Sequence, residues 1–297
     1  MYGQRRRACV AAIEVQPRRA LWFNARMRIL FLGDIVGRSG RDAVLAAVPV
    51  LRQRLGIDFC IVNGENAAAG FGITPKICES LYAVGVDALT TGNHVWDQRE
   101  LIAAADGDAR LLRPLNYPPG TPGRGLRTFQ LDDGRRIVVI NLMLRHQMDA
   151  LDDPFAAVDR ELAARPLGQG AAAIVADIHG EATSEKMAMG HYLDGRVSLV
   201  VGTHTHVPTA DHQILSKGTA YLTDAGMCGD YDSVIGMRKE PAILRFTRKM
   251  PTDRLTPAEG EASVCGIYVE TDDATGLARR IEPVRSGGRL SVTLPEI

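Results

Sequence analysis

Side chains able to hold a metal ion gather in five short clusters along this chain of 297 residues. They are Gly33-Asp34, Asn63-Gly64-Glu65-Asn66, Thr91-Gly92-Asn93-His94, Asp177-Ile178-His179 and Gly202-Thr203-His204-Thr205-His206. Four of the seven histidines, His94, His179, His204 and His206, fall inside them, which an even scatter would not produce. Taken singly, each cluster has an ordinary explanation. Gly33-Asp34 can be a turn whose carboxylate caps a helix, and Asn63-Gly64 and Gly92-Asn93 are turn-forming pairs. A lone His179 is more often a hydrogen-bonded imidazole than a ligand. Taken together, the clusters supply oxygen and imidazole donors, a set that suits manganese, iron or zinc. The five cysteines (Cys9, Cys60, Cys78, Cys228, Cys265) never fall in C-x-x-C spacing, so a thiolate-built zinc site is not expected.

Charge narrows the chemistry. Asp34 and Glu65 bring two negative charges, whereas Asn66, Asn93 and neutral His179, His204 and His206 bring none. Two divalent cations held by this set would leave a net charge of about +2, and such a centre attracts an anion, a phosphate ester foremost. Paired metals about 3.5–4 Å apart can activate a hydroxide and clamp the attacked and leaving oxygens of an in-line displacement. Neither a G-x-S-x-G elbow nor a G-x-x-x-x-G-K-[ST] loop is present to support a rival chemistry.

The elements that must position these residues are legible in outline. Apolar runs at Arg28–Leu32, Phe59–Val62, Asp87–Thr90, Ala172–Ala176 and Val197–Val201 read as strands, each leading into one cluster. Helical spacing recurs over Arg41–Leu55, over Pro75–Val84 behind a Thr74 cap, and over Gln98–Ala105. The alternation predicts βαβ crossovers and a largely parallel sheet, whose carboxyl ends are where ligands bind. His204 and His206, two apart on an extended segment, are expected to point the same way. Leu111–Gly125 is rich in proline and reads as a surface loop, Arg127–Leu131 and Arg135–Leu142 as a hairpin, and Ala220–Thr223 and Cys265–Glu270 as later strands.

Lys plus Arg and Asp plus Glu are both 35, so the net charge is zero, which argues against a protein living on long nucleic acids or an anionic membrane. No apolar run reaches the roughly 18 residues of a membrane helix. The scattered, odd-numbered cysteines read as reduced, which places the chain in the cytoplasm. Residues 1–26 carry six arginines against one acid, Glu14, and read as a basic extension or a misplaced start; residues 27–297 read as one domain.

Longer motifs carry a resemblance. Met27–Gly37, Asn63–Gly70, Thr91–Asp97, Glu181–Lys186 and Val201–Asp211 together resemble the YmdB-like branch of the calcineurin-like metallophosphoesterases, over Met27 to about Glu270. The resemblance implies a four-layer α/β/β/α sandwich and two metal ions, iron and/or manganese. Position by position, it implies Asp34, Glu65, Asn66 and His206 on one metal, and Glu65, Asn93, His179 and His204 on the other. Glu65 bridges in that scheme, and His94 is the proton donor. The wider superfamily has a histidine where Val36 stands; the YmdB-like branch shares that loss, with Asn66 helping to fill the site. Gly180 replaces the branch's more usual alanine, and Met143–Met148 is a second departure, at the pocket wall.

The implied activity is hydrolysis of small phosphodiesters, 2′,3′-cyclic nucleotides first and 3′,5′-cyclic nucleotides second. A metal-bridging hydroxide attacks phosphorus and His94 protonates the departing ribose oxygen. Two alternatives stay open: a phosphomonoesterase or nucleotidase on the same centre, and a regulatory nucleotide- or RNA-linked binding protein without turnover. A small phosphodiester is the expected partner; RNA association and self-association are left open, and no membrane is expected.

Overall fold

Alternate residues of the first strand face two different cores, and that alternation runs through the whole architecture. This computed structural model describes residues 26–249 and 253–296; the basic segment singled out in the sequence lies outside them except for Arg26. Strands β1 (Arg26–Leu32), β2 (Asp34–Ile35), β3 (Phe59–Asn63), β4 (Ala88–Thr90) and β5 (Leu111–Leu112) lie in one sheet. Strands β6 (Leu126–Gln130), β7 (Arg136–Met143), β8 (Ala173–His179), β9 (Leu199–Thr203), β10 (Gln213–Ile214) and β11 (Ala220–Leu222) form a second. The chain then returns to the first with β12 (Met227–Asp230), β13 (Ala262–Asp272) and β14 (Ala278–Ser286). The helices are α1 (Gly37–Leu55), α2 (Pro75–Ala83), α3 (Arg99–Ala104), α4 (Pro154–Ala163), α5 (Thr183–Leu193) and α6 (Lys239–Arg248).

Three cores separate four layers. Ile29 and Phe31 of β1, Ile61 of β3 and Ile267 of β13 meet Ile137, Val139, Val175 and Val201 of the second sheet. On the other face of the first sheet, Leu30, Leu32, Cys60 and Val62 pack on Val44, Val48, Leu51 and Leu81 of α1 and α2. On the outer face of the second, Val138, Ile140, Leu142 and Ile174 pack on Val158 and Leu162 of α4 and Met189 and Leu193 of α5. Strand segments buried on both faces are largely apolar, which is why residues 29–32 of β1, 59–62 of β3, 137–140 of β7, 173–176 of β8 and 199–201 of β9 read as hydrophobic runs. The result is the four-layer α/β/β/α sandwich.

The parallel reading holds within each half. Strands β1–β3–β4–β5 pair in parallel, as do β7–β8–β9–β11. The largely parallel sheet expected from the alternation is corrected in one respect, β1 pairing β13 antiparallel from Arg26↔Asp272 to Leu32↔Gly266, while the later strands build the second sheet that the resemblance implies. The 126–143 hairpin is present, with Leu126 opposite Ile140. Helix α2 begins as expected, Thr74 Oγ1 accepting from the Ile77 amide at 3.3 Å with Pro75 in the first turn. Helix α1 starts at Gly37, four residues before the apolar spacing suggests. Among the described residues no helix is long and apolar enough to cross a membrane, and Cys60, Cys78, Cys228 and Cys265 are free and buried.

Phe31 is fully buried between the sheets. Phe31→Ala should therefore cost about 3–5 kcal/mol of stability, the usual toll for emptying an aromatic core position. Urea unfolding with an unchanged slope is the check, and a shift under about 1 kcal/mol would mean the two sheets do not share a tightly packed core.

Candidate metal centre

Five strand ends deliver the candidate donors to one place. β1 runs through Gly33 into Asp34; a Cβ on Gly33 would stand 1.8 Å from the Gly226 carbonyl, so only glycine permits that turn. β3 ends on Asn63 and leads to Glu65 and Asn66, and β4 leads through Thr91-Gly92 to Asn93 and His94. His179 is the last residue of β8, and β9 stops at Thr203, immediately before His204. The parallel strands of both sheets thus contribute from their carboxyl ends, as α/β sites do.

Two overlapping groups result. Oxygen and nitrogen atoms of Asp34, Glu65 and His206 lie within 4.8 Å of one another, as do those of Glu65, His179 and His204, so Glu65 belongs to both. The Asn66 amide nitrogen sits 3.1 Å from Glu65 Oε1 and 3.1 Å from His206 Nε2. Turned over, that amide puts its oxygen in the same spot. Asn93 Oδ1 lies 3.0 Å from His179 Nε2, and His204 Nδ1 lies 3.1 Å from the same nitrogen. All seven residues singled out as donors in the sequence meet here. His94 sits at the rim, its side chain 30% exposed, its backbone amide 3.4 Å from Glu65 Oε2 and its Nδ1 2.8 Å from Asp97 Oδ2.

Hydrogen-bond accounting decides which ring nitrogens are bare. His206 Nδ1 is 2.8 Å from the Ile235 carbonyl, which only accepts, so Nδ1 carries the proton and Nε2 faces the cluster as a lone pair. The Thr203 hydroxyl donates to Asp177 Oδ1 at 2.7 Å, so it accepts from His179 Nδ1 at 2.9 Å. His179 Nε2 therefore faces Glu65 Oε2, 3.2 Å away. His204 turns Nε2 toward Glu181, 3.4 Å away, and Nδ1 inward.

The electrostatics of the donor set favour cations. Burial works to raise the Glu65 carboxyl, but the His179, His94 and His204 rings outweigh it and hold it at about 2. Burial works against a charged His179 too, yet Glu65 and Asp34 push it up to about 9. Burial and the His179 cation push His204 down to about 3, and burial depresses His206. Asp34 is driven well above the usual carboxylate range by burial and by Glu65, and its buried Oδ1 has no hydrogen-bond partner. An orphaned carboxylate oxygen, two neutral imidazoles aimed inward and a third kept protonated by a buried acid fit divalent cations. Gly92 leaves the room: a Cβ there would sit 2.2 Å from Glu65 Oε2 and 2.3 Å from His179 Nε2.

Residues 30–284 match the family described as YmdB-like protein. The chain belongs to the YmdB-like family. It is 49% identical over 258 residues to the 2′,3′-cyclic-nucleotide 2′-phosphodiesterase of Bacillus subtilis, covering 87% of this chain and 96% of that protein. A crystal structure of a hypothetical protein from Thermus thermophilus superposes with a TM-score of 0.82 at 42% identity, covering 89% of this chain and all of that one. A novel phosphatase of Mycoplasma pneumoniae superposes with a TM-score of 0.82 at 32% identity, over 89% and 94% of the two chains. Membership implies a divalent-metal centre, and the donor set fits one.

This YmdB-like chain also accounts for its departures. Val36 is buried, and its backbone bridges Asn66, whose amide reaches between Glu65 and His206. Gly180 and the Met143–Met148 segment belong together: a Cβ on Gly180 would stand 2.7 Å from Leu144 Cβ, and the Leu144 amide donates to the His179 carbonyl at 2.8 Å. Leucine here fills the space an alanine methyl would take. One expectation is corrected. His204 and His206 do not lie on extended backbone; their φ angles are +99° and +66°, in the left-handed region, at a cost of about 1–3 kcal/mol each. They separate to the two groups instead of sharing one side.

Sequence reasoning missed the support. Asp177 and Asn63 stand in the clusters but turn to each other, Asn63 Nδ2 donating to Asp177 Oδ2 at 3.1 Å, and Asp177, raised to about 6 by burial, orients His179 through Thr203. The signal was present in β8, where residues two apart share a face. Gly92 gave none beyond its turn-forming neighbour.

Three outcomes are expected. Glu65→Gln should lose bound metal in elemental analysis together with activity, since a neutral amide cannot balance two cations; full occupancy would show that Glu65 is not shared. Gly92→Ala should do the same by displacing Glu65 and His179, and wild-type metal content there would contradict the packing. A cation must displace the His179 proton, so manganese(II) affinity should climb as pH rises to about 9, with protons released on binding. Calorimetry in buffers of different ionisation enthalpy reads this, and pH-independent affinity would contradict it.

Proposed function

We propose that this chain is a binuclear metal-dependent phosphodiesterase that hydrolyses small phosphodiesters, 2′,3′-cyclic nucleotides foremost. The observation that carries the reading is the single carboxylate of Glu65 shared by two donor groups beside a rim histidine. The 49% identity to a 2′,3′-cyclic-nucleotide 2′-phosphodiesterase supports the substrate class. The metals proposed are iron and/or manganese, held by Asp34, Glu65, Asn66 and His206 on one side and by Glu65, Asn93, His179 and His204 on the other. The oxygen-and-imidazole donor set, free of thiolate, supports them. Such cations, when bound, supply an activated hydroxide and neutralise charge on the phosphoryl oxygens.

The chain's own residues do the remaining work. Asp97 holds His94 through Nδ1, which leaves Nε2 free to meet a substrate oxygen, and the Phe71 ring stands edge-on to it at 5.2 Å. His94 gives its proton to the ribose oxygen as the P–O bond breaks, so that an alcohol and not an alkoxide departs. Asn93, the preceding residue, faces His179 instead, which keeps donor and acid apart. The four free thiols among the described residues, all buried, support the reducing cytoplasm as the compartment. Residues 27–297 are read as one working domain, so a chain starting at Met27 should retain turnover under matched metal loading.

His94→Asn should keep both metals and lower turnover of a 2′,3′-cyclic nucleotide by about 10²–10⁴-fold, the usual worth of a general acid. The loss should be much smaller on bis-p-nitrophenyl phosphate, whose nitrophenolate leaves without a proton. Asn93→Ala should weaken one metal and harm both substrates alike. Equal losses on the two substrates for His94→Asn, with metals intact, would remove the proton-donor role.

A further inference from the structure

We infer that the buried Lys186–Asp224 ion pair is a positioning device that holds the Gly202–His206 turn ready for cations; this rests on the metal-centre reading. Lys186 lies on α5 and is fully buried, an unusual place for an ammonium group. Its Nζ donates to the Thr203 carbonyl at 2.7 Å and to Asp224 Oδ2 at 2.7 Å. That same Oδ2 accepts from the Thr205 amide at 3.1 Å, and Oδ1 accepts from the Gly226 amide at 2.8 Å. The Gly226 carbonyl in turn accepts from the Asp34 amide at 3.2 Å, and Asp34 Oδ2 accepts from the His204 amide at 3.1 Å. The ion pair therefore grips the backbone on both sides of His204 and reaches the segment that presents Asp34.

Two further features belong to the same device. Gly202 lets β9 press against the segment that leads to Asp224, since a Cβ there would stand 1.8 Å from the Thr223 carbonyl oxygen and 3.0 Å from Lys186 Cδ. His204 and His206 hold left-handed backbone angles without glycine's freedom, so the turn needs fastening from outside. A buried ion pair is often no more stabilising than apolar side chains of similar volume. Here its polar contacts go to the histidine turn and to the Gly226 segment beside Asp34. Metal-site supports of this kind are typically worth 10–100-fold in affinity.

The test uses the full chain stripped of metal and titrated with manganese(II) by calorimetry, alongside the melting temperature of the metal-free protein. The double variant Lys186→Met with Asp224→Asn removes both charges, leaving no buried ion unpaired. It should melt near the wild type when metal-free, yet bind manganese(II) about 10–100-fold more weakly. At saturating metal, kcat should fall more than KM rises, and Lys186→Arg should recover part of the affinity. Wild-type affinity in the folded double variant would overturn the positioning role. Should that variant fail to fold, the near-isosteric Asp224→Asn decides by the same titration, and wild-type affinity there overturns it equally. A wild-type chain that binds no manganese(II) would overturn the metal-centre reading and the device together.

Discussion

The Glu65 carboxylate is buried, ionised and shared, and the rest of the site is arranged around its charge. Without cations, His179 carries a proton to balance it and Asp34 is pushed toward its neutral form. That is an expensive way to keep two acids and three imidazoles out of water. Divalent ions would replace the His179 proton, give the orphaned Asp34 oxygen a partner and relieve the repulsion between the carboxyls. The fold's task is to hold these groups close enough that only cations satisfy them.

Backbone geometry does this through a few positions where a side chain would not fit. Gly33 lets β1 turn against Gly226, and Gly92 leaves the space in which Glu65 and His179 approach. His204 and His206 accept strained backbone and are fastened by the Ile235 carbonyl and the Lys186–Asp224 pair. Between the sheets, Phe31, Val139, Val175 and Val201 lock the two halves whose strand ends carry the donors. Core packing and site geometry are thus one constraint.

Much of this was legible in the sequence because donor clusters follow apolar strands directly, and strand-to-turn transitions are local signals. The division into two sheets was legible only through the family resemblance, since by hydrophobic pattern β7, β8 and β9 look the same whether they extend the first sheet or face it. Strand β14 escaped notice because Ala278–Ser286 is charged and contains Pro283, with only Ala278 and Val284 buried. The left-handed angles at His204 and His206 have no signature in residue type, and nothing in the local pattern marks Lys186 as buried. What periodicity cannot show is contact between distant segments, and the network beneath the site consists of such contacts.

The central claim is that one carboxylate sits between two cations. Anomalous diffraction from crystals of the full chain loaded with manganese(II) tests it directly. Two peaks about 3.5–4 Å apart, flanking the Glu65 carboxylate with Asp34 and His206 on one side and His179 and His204 on the other, are the predicted result. A single peak, or peaks that leave Glu65 uncoordinated, would contradict it.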